Sequence, residues 1–320
     1  MMNYLNTYRR YACDIGRINR EAGNDPAAFV NMTESVYAYD LQLIVEQVLA
    51  MKNDRHIILL SGPSSSGKTT TAKKLCDAFL QKGVDPKLIS MDDFYLGEAN
   101  VKRLPDGKPD FESVEALDIP LIRQSIRLLA ETGECVIPKY DFKKSCRADE
   151  TEVITLRKDS VIIMEGIHAL NPIFSDDVSG NAVSKIYVSV KQGIKDNEDY
   201  ILTNREIRLI RRLVRDHQFR KTDPETMIGM WQSVVDGEKK YIRPYRYTSD
   251  FTVNSIHIYE PCVMKNHALQ LLEMIGSSHT QYAFARHLIS ALESFKEIDV
   301  SLVPENSLMR EFLGDGIYNY

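Results

Sequence analysis

The chain has 320 residues, room for one large α/β domain or two modest ones, and its 43% hydrophobic and 27% charged content excludes wholesale disorder. A formal charge of −5 argues against a general nucleic-acid binder and leaves any phosphate affinity to a local patch. Five scattered cysteines without a CxxC pair argue for free thiols, no apolar run approaches a membrane span, and the start lacks a signal-type apolar region, so the expectation is a cytoplasmic protein with no membrane contact.

Residues 1–50 read as helical. Leu41, Ile44, Val45 and Val48 recur at i, i+3, i+4, i+7 along one apolar face, and Asn24-Asp25-Pro26 marks a break before them. His56–Leu60 is a short apolar run suited to a strand buried on both faces. A glycine-rich segment follows from Gly62. Ala72, Leu75, Cys76 and Phe79 then keep helical spacing up to Gly83, a C-terminal stop. Lys87–Met91 reads as a second strand, which makes a βαβ unit with parallel strands. Farther on come a helix over Ile119–Glu131, strands at Val161–Met164 and Lys185–Val190, an amphipathic helix over 203–217 and a last strand at Phe251–Val253. The tail from about 262 is expected to be mainly helical. Strands alternating with helices give an α/β fold with a parallel sheet covered on both faces.

Gly62-Pro63-Ser64-Ser65-Ser66-Gly67-Lys68-Thr69 fits GxxxxGK[ST] at every fixed position, between a buried strand and an amphipathic helix. The glycines let successive N–H groups turn toward phosphate oxygens, and the following helix adds its positive end. Lys68 can reach the β- and γ-phosphates of ATP, and the Thr69 hydroxyl can ligate Mg²⁺. Ser64, Ser65, Ser66 and Thr70 complete the expected ATP cradle. The fold expected is therefore a three-layer P-loop NTPase of the nucleoside/nucleotide-kinase type, with a core over 51–260 and helical extensions over 1–50 and 261–320.

Ligands of open parallel sheets sit beyond the carboxyl ends of the strands. There the second strand runs into Asp92-Asp93-Phe94-Tyr95 and the third into Glu165-Gly166. One carboxylate can take the proton of an attacking hydroxyl and another can hold Mg²⁺, so Asp92 and Glu165 are candidates for both tasks. Asp93 should point the other way, since neighbouring strand residues alternate. In the helix at 205–216, Arg208, Arg211, Arg212 and Arg215 share one stripe at about 100° per residue, with Ile207, Ile210 and Val214 opposite. These arginines, with Arg220 beyond them, are expected to form a lid around 205–225 that closes on the phosphates, Arg208 and Arg211 being assigned to catalysis. His168 is read as a packed histidine, Trp231, Tyr241 and Tyr245 as pocket shapers or core, and the C-terminal helices as packing or a homo-oligomer surface.

With these motifs in view, the sequence resembles the uridine kinase and phosphoribulokinase group of P-loop kinases. The resemblance rests on Gly62–Thr70, Ser90–Tyr95, Asp110–Asp118, Ile137–Phe142, Ile162–Pro172 and Arg208–Arg220. Met230–Tyr245 and Val303–Gly314 are similar to the C-terminal halves of bacterial long-form uridine kinase-like nucleoside kinases. The resemblance implies that Asp92 faces the acceptor 5′-hydroxyl and that Thr69 and Glu165 lie near Mg²⁺. It implies lid roles for Arg208 and Arg211, and a sugar and base pocket from Tyr95, Tyr140 and Phe142, with Asp110 and Glu112 gripping the ribose. Glu112 stands where ordinary uridine kinases carry Asp, and Ser145 where they carry a base-reading His, which leaves the base open. Longer relatives carry a synthetase-like N-terminal part, which the roughly fifty residues before the core are not expected to form. A nucleoside is the leading acceptor. Lys143, Lys144 and Arg147 motivate a sugar phosphate or other small alcohol instead, and an ATP-binding regulatory or RNA-associated protein without turnover is the alternative of another class.

Overall fold

The computed structural model describes residues 8–51, 56–104, 107, 109–141, 144–176 and 183–319. The chain opens with α1 (Ile15–Asn24) and α2 (Pro26–Met51). The expected break is the joint between them, where the Asp25 side chain accepts the Ala28 N–H at 2.9 Å and caps α2. The core follows with β1 (His56–Ser61), α3 (Lys68–Gln81) and β2 (Pro86–Ser90). Next come α4 (Ile119–Glu131), β3 (Glu134–Asp141), β4 (Cys146–Thr155), β5 (Val161–Glu165) and β6 (Val183–Ser189). A small hairpin, β7 (Ile194–Asp196) with β8 (Asp199–Leu202), leads into α5 (Asn204–Arg220) and α6 (Pro224–Gly237). The last strand β9 (Phe251–Asn254) precedes α7 (Glu260–Glu273), α8 (Tyr282–Glu293) and the single turn α9 (Arg310–Leu313).

Among the described residues, five parallel strands form the main sheet in the order β2-β5-β1-β6-β9. Ile57, Ile58, Leu59 and Leu60 of β1 are all fully buried, which is why an unbroken apolar run rather than an alternating one encodes this strand. Each such side chain contributes about 1.5–3 kcal/mol relative to exposure. Ile58 and Leu60 face a large apolar cluster built with α2, α3, α5 and α7. Ile57 and Leu59 face a second cluster with α4 and the β3–β4 hairpin. The three-layer α/β architecture expected from the sequence is the one observed.

Three features depart from the sequence reading. The antiparallel hairpin β3–β4 carries no strong apolar pattern, since most of β4 is exposed. Helix α6 was not foreseen either; Asp223 caps it and Pro224 stands at its first position. Apart from a 3₁₀ turn at Val300–Leu302 and the single turn α9, the tail is helical only as far as α8. Beyond it, residues 299–319 run as turns broken by Pro304, Gly314 and Gly316, and this stretch folds back over the start of α3. Residues of the N-terminal, core and C-terminal segments enter one apolar cluster. No described helix is long and apolar enough to cross a membrane.

Candidate active site

Strand β1 delivers the glycine-rich loop to the carboxyl end of the sheet. A Cβ on Gly62 would lie 2.0 Å from the Val188 carbonyl oxygen of β6, so only glycine lets the loop leave the sheet there. Gly67 has φ +83°, in the left-handed region, and a Cβ on it would strike Leu308. Ser65 is also left-handed at φ 57°. The result is a concave loop that turns through a left-handed glycine into the first turn of α3, a shape suited to an anion. The hydroxyls of Ser65 and Ser66 are buried without a partner, as donors awaiting phosphate oxygens would be. Lys68 arches back with its ammonium 3.4 Å from the Pro63 carbonyl oxygen, and Thr69 donates its hydroxyl hydrogen to Glu165 at 3.2 Å.

The acidic residues converge on this loop because Ser90 and Leu60 both stand beside Glu165 in register. Burial pushes the Glu165 carboxyl up to about 7; Lys68 opposes the rise, while Asp92 and Glu311 add to it. Burial also raises Asp92, against the pull of Lys68 and with a push from Asp93, and it raises Glu112 against Arg212 and Lys68. Several carboxyls thus share one ammonium, a site short of positive charge. Thr69, Glu165 and Asp92 supply the oxygens that suit Mg²⁺, which takes one or two carboxylates together with phosphate oxygens rather than a protein cage. No group of three or more His, Cys, Asp or Glu that could hold a metal occurs among the described residues. Asp93 does turn away, pairing with Lys139 at 3.1 Å and accepting the Tyr140 N–H at 3.3 Å, so it ties the β3–β4 hairpin to the end of β2.

Beside Asp92 lies an aromatic wall. Tyr95 packs edge-on to Phe111 at 5.7 Å and tilted against Tyr140 at 5.8 Å, and its hydroxyl donates to the Phe111 carbonyl at 3.2 Å. Asp110 accepts from the Tyr241 hydroxyl at 2.9 Å, and Glu112 packs where Gly237 leaves room for it. Tyr241 therefore shapes this pocket. His168 is 2% exposed, edge-on to Tyr241 at 6.3 Å, and neither ring nitrogen makes a hydrogen bond of ordinary geometry. Burial holds its ring down at about 4, so it is neutral at physiological pH. This agrees with the packed or hydrogen-bonded histidine read from the sequence, and it stands beside Tyr241 and the Glu112 backbone. Arg147 is engaged with Asp118 at 3.1 Å and Lys144 with Asp141 at 3.6 Å. Phe142 and Lys143 lie outside the described residues.

The arginines of α5 divide into two sets. Arg211 is fully buried, with both Glu260 oxygens at 2.5 and 2.9 Å and further bonds to the carbonyls of Ser255 and Ser65. Arg208, 3% exposed, pairs with Glu238 at 2.7 Å and donates to the Ser64 carbonyl at 2.9 Å. In this structure these two brace the outside of the phosphate loop instead of entering it, because Glu260 closes the fork of Arg211 and Glu238 holds Nη1 of Arg208. Arg212 reaches the Ser64 hydroxyl at 3.0 Å and its charge bears on Glu112, which puts it between the loop and Glu112. Asp216 draws in Arg212, Arg215 and Arg220 at 3.3, 2.7 and 3.6 Å. The helix expected as a lid is packed here against α6, α7 and α9. From the returning tail, Glu311 accepts the Thr70 hydroxyl at 2.6 Å and its N–H at 3.3 Å, a contact that motif spacing could not disclose.

Comparison with known proteins bears on the same residues. Residues 57–260 match the phosphoribulokinase / uridine kinase family. A uridine kinase of Lactobacillus johnsonii is 29% identical over 205 residues, 63% of this chain and 88% of that protein. A uridine kinase of Ureaplasma parvum serovar 3 is 26% identical over 198 residues, 62% of this chain and 86% of that one. Among solved structures, the phosphoribulokinase of Rhodobacter spheroides aligns at 20% identity with a TM-score of 0.41, covering 61% of this chain and 67% of that one. The matched span runs from β1 through the glycine-rich loop, Asp92, Glu165 and α5 to the start of α7, so the chain belongs to the phosphoribulokinase / uridine kinase family and is an ATP-dependent kinase.

Proposed function

We propose that the chain transfers the γ-phosphoryl group of ATP, with Mg²⁺, to the 5′-hydroxyl of a nucleoside. The observation that carries this reading is the pocket beside Asp92. It is aromatic at Tyr95, Phe111 and Tyr140 and carries carboxyls at Asp110 and Glu112, a surface suited to a stacked base and a diol. Arg147 and Lys144, the described cations that would favour a phosphorylated acceptor, are taken up by Asp118 and Asp141, which supports a neutral acceptor. The relatives named as uridine kinases point the same way.

In this mechanism the loop amides, Lys68 and the serine hydroxyls hold the triphosphate in line with the acceptor. Asp92, raised by burial toward the working pH, accepts the hydroxyl proton as the oxygen attacks. Thr69 and Glu165 would hold Mg²⁺, which when bound neutralises charge on the phosphoryl oxygens. Arg212 supplies a cation between donor and acceptor sites. The reading places the protein in the cytoplasm, and its oligomeric state is a separate question for light scattering. Purified protein with Mg-ATP and a panel of nucleosides should release ADP above background for at least one nucleoside. If every nucleoside fails while a sugar phosphate or another small alcohol is phosphorylated, the acceptor assignment is wrong.

A further inference from the structure

A cavity of about 520 Å³ opens between the end of β6, the first turns of α5 and the turn at 238–247. Lys191, Arg205, Arg208, Arg243 and Arg246 all line it, against one carboxylate, Glu238. That carboxylate is committed to Arg208 at 2.7 Å. Among the described residues no acidic side chain lies within ion-pair distance of Arg205, Arg243, Arg246 or Lys191. The Lys191 ammonium rests over the rings of Tyr187 at 4.6 Å and Tyr8 at 5.4 Å, contacts that hold a cation without neutralising it. Burial, and then the charge of Arg246, bring Lys191 down to about 8. Arg208 is 3% exposed and its Nη2 has no partner.

Gathering five cations around a cavity is unfavourable unless something anionic completes it, because like charges repel and a buried guanidinium N–H without an acceptor carries its full desolvation cost. Guanidinium forks at several angles suit the tetrahedral oxygens of phosphate better than a planar carboxylate. Of the glycine-rich loop only Pro63 lines the cavity; Lys68, Thr69, Asp92 and Glu165 do not, so this is not the nucleotide cradle. We propose that the cavity is a second anion site, taking a phosphate-bearing small molecule on Arg205, Arg208, Arg243 and Arg246. Since the same Arg208 guanidinium also holds the Ser64 carbonyl, the two sites share one side chain.

The test is calorimetric titration of the full chain with pyrophosphate, which both sites accept. Wild-type protein should bind at two sites, Lys68→Ala at the cavity alone, and the double variant Arg243→Gln/Arg246→Gln at the loop alone. Affinity for the cavity should fall by about tenfold or more for each guanidinium removed. Lys158→Gln, just before β5 at the opposite end of the sheet, controls for charge and should bind as wild type does. A double variant that matches the wild-type isotherm while keeping its melting temperature overturns the proposal, as does wild-type protein that binds at one site only. Loss of the loop site in Lys68→Ala is read separately, so failure of the cavity leaves the kinase assignment untouched.

Discussion

His168 illustrates what a single position can and cannot say. Its place after Glu165-Gly166 follows from the strand end, but that its ring would stand beside Tyr241, 73 positions on, depends on how the turn at 238–242 folds back. A neutral imidazole beside Asp110 and the Glu112 backbone suits recognition of a polar edge. His168→Ala should therefore raise the acceptor KM by about tenfold while leaving the KM for ATP unchanged, measured by ADP release at fixed and varied nucleoside; a merely structural histidine would move both or neither. The phosphate loop was legible because all its residues are contiguous and glycine's role is local. Asp92 and Glu165 were legible because strand ends converge by topology. The partners of Arg208 and Arg211 were not, since Glu238 and Glu260 lie 30 and 49 positions away and nothing in the helix itself selects them.

At the scale of elements, α5 shows why a basic helix is not read by charge alone. Its arginines share a stripe, yet that stripe is divided: one end is buried and braces the loop from outside, the other lies between the loop and Glu112. Arg211→Ala leaves Glu260 buried and uncompensated and should lower folding stability by about 3–5 kcal/mol in denaturant titration. Arg212→Ala leaves the buried Asp216 still paired with Arg215 and Arg220, so it should cost less stability than Arg211→Ala but lower kcat by about 10²–10³-fold. If the two variants exchange these phenotypes, the division of the helix is wrong. The elements that sequence reading found are those with a full apolar period, such as β1, β5 and α4. The β3–β4 hairpin escaped because its outer strand is mostly polar and exposed, so that only a few of the hairpin's positions, such as Cys135, Ile137 and Ile154, enter the core.

Across the whole molecule, the N-terminal helices and the returning tail are joined through a buried polar knot. Glu34 of α2 accepts from the hydroxyls of Tyr259 and Ser307 and lies 3.3 Å from His257. Burial alone would raise its carboxyl, but His257, Ser307 and Tyr259 outweigh that and hold it near 2, against an ordinary 4.5. Between those values the unfolded chain binds more protons than the folded one, so this stability is present above pH 4.5 and lost as pH falls toward 2. The contribution is about 3 kcal/mol. Glu34→Gln should flatten the acid limb of a stability-versus-pH curve followed by denaturant unfolding; an unchanged limb would remove Glu34 from the account. The same tail brings Glu311 onto Thr70, so the far ends of the chain and the phosphate loop form one structure. The central claim is that Asp92 readies an alcohol while the loop holds ATP, and the most direct test is turnover by Asp92→Asn. The account predicts that kcat for ADP release with the preferred acceptor falls by about 10²–10⁴-fold while ATP affinity is kept; turnover at the wild-type rate would contradict it.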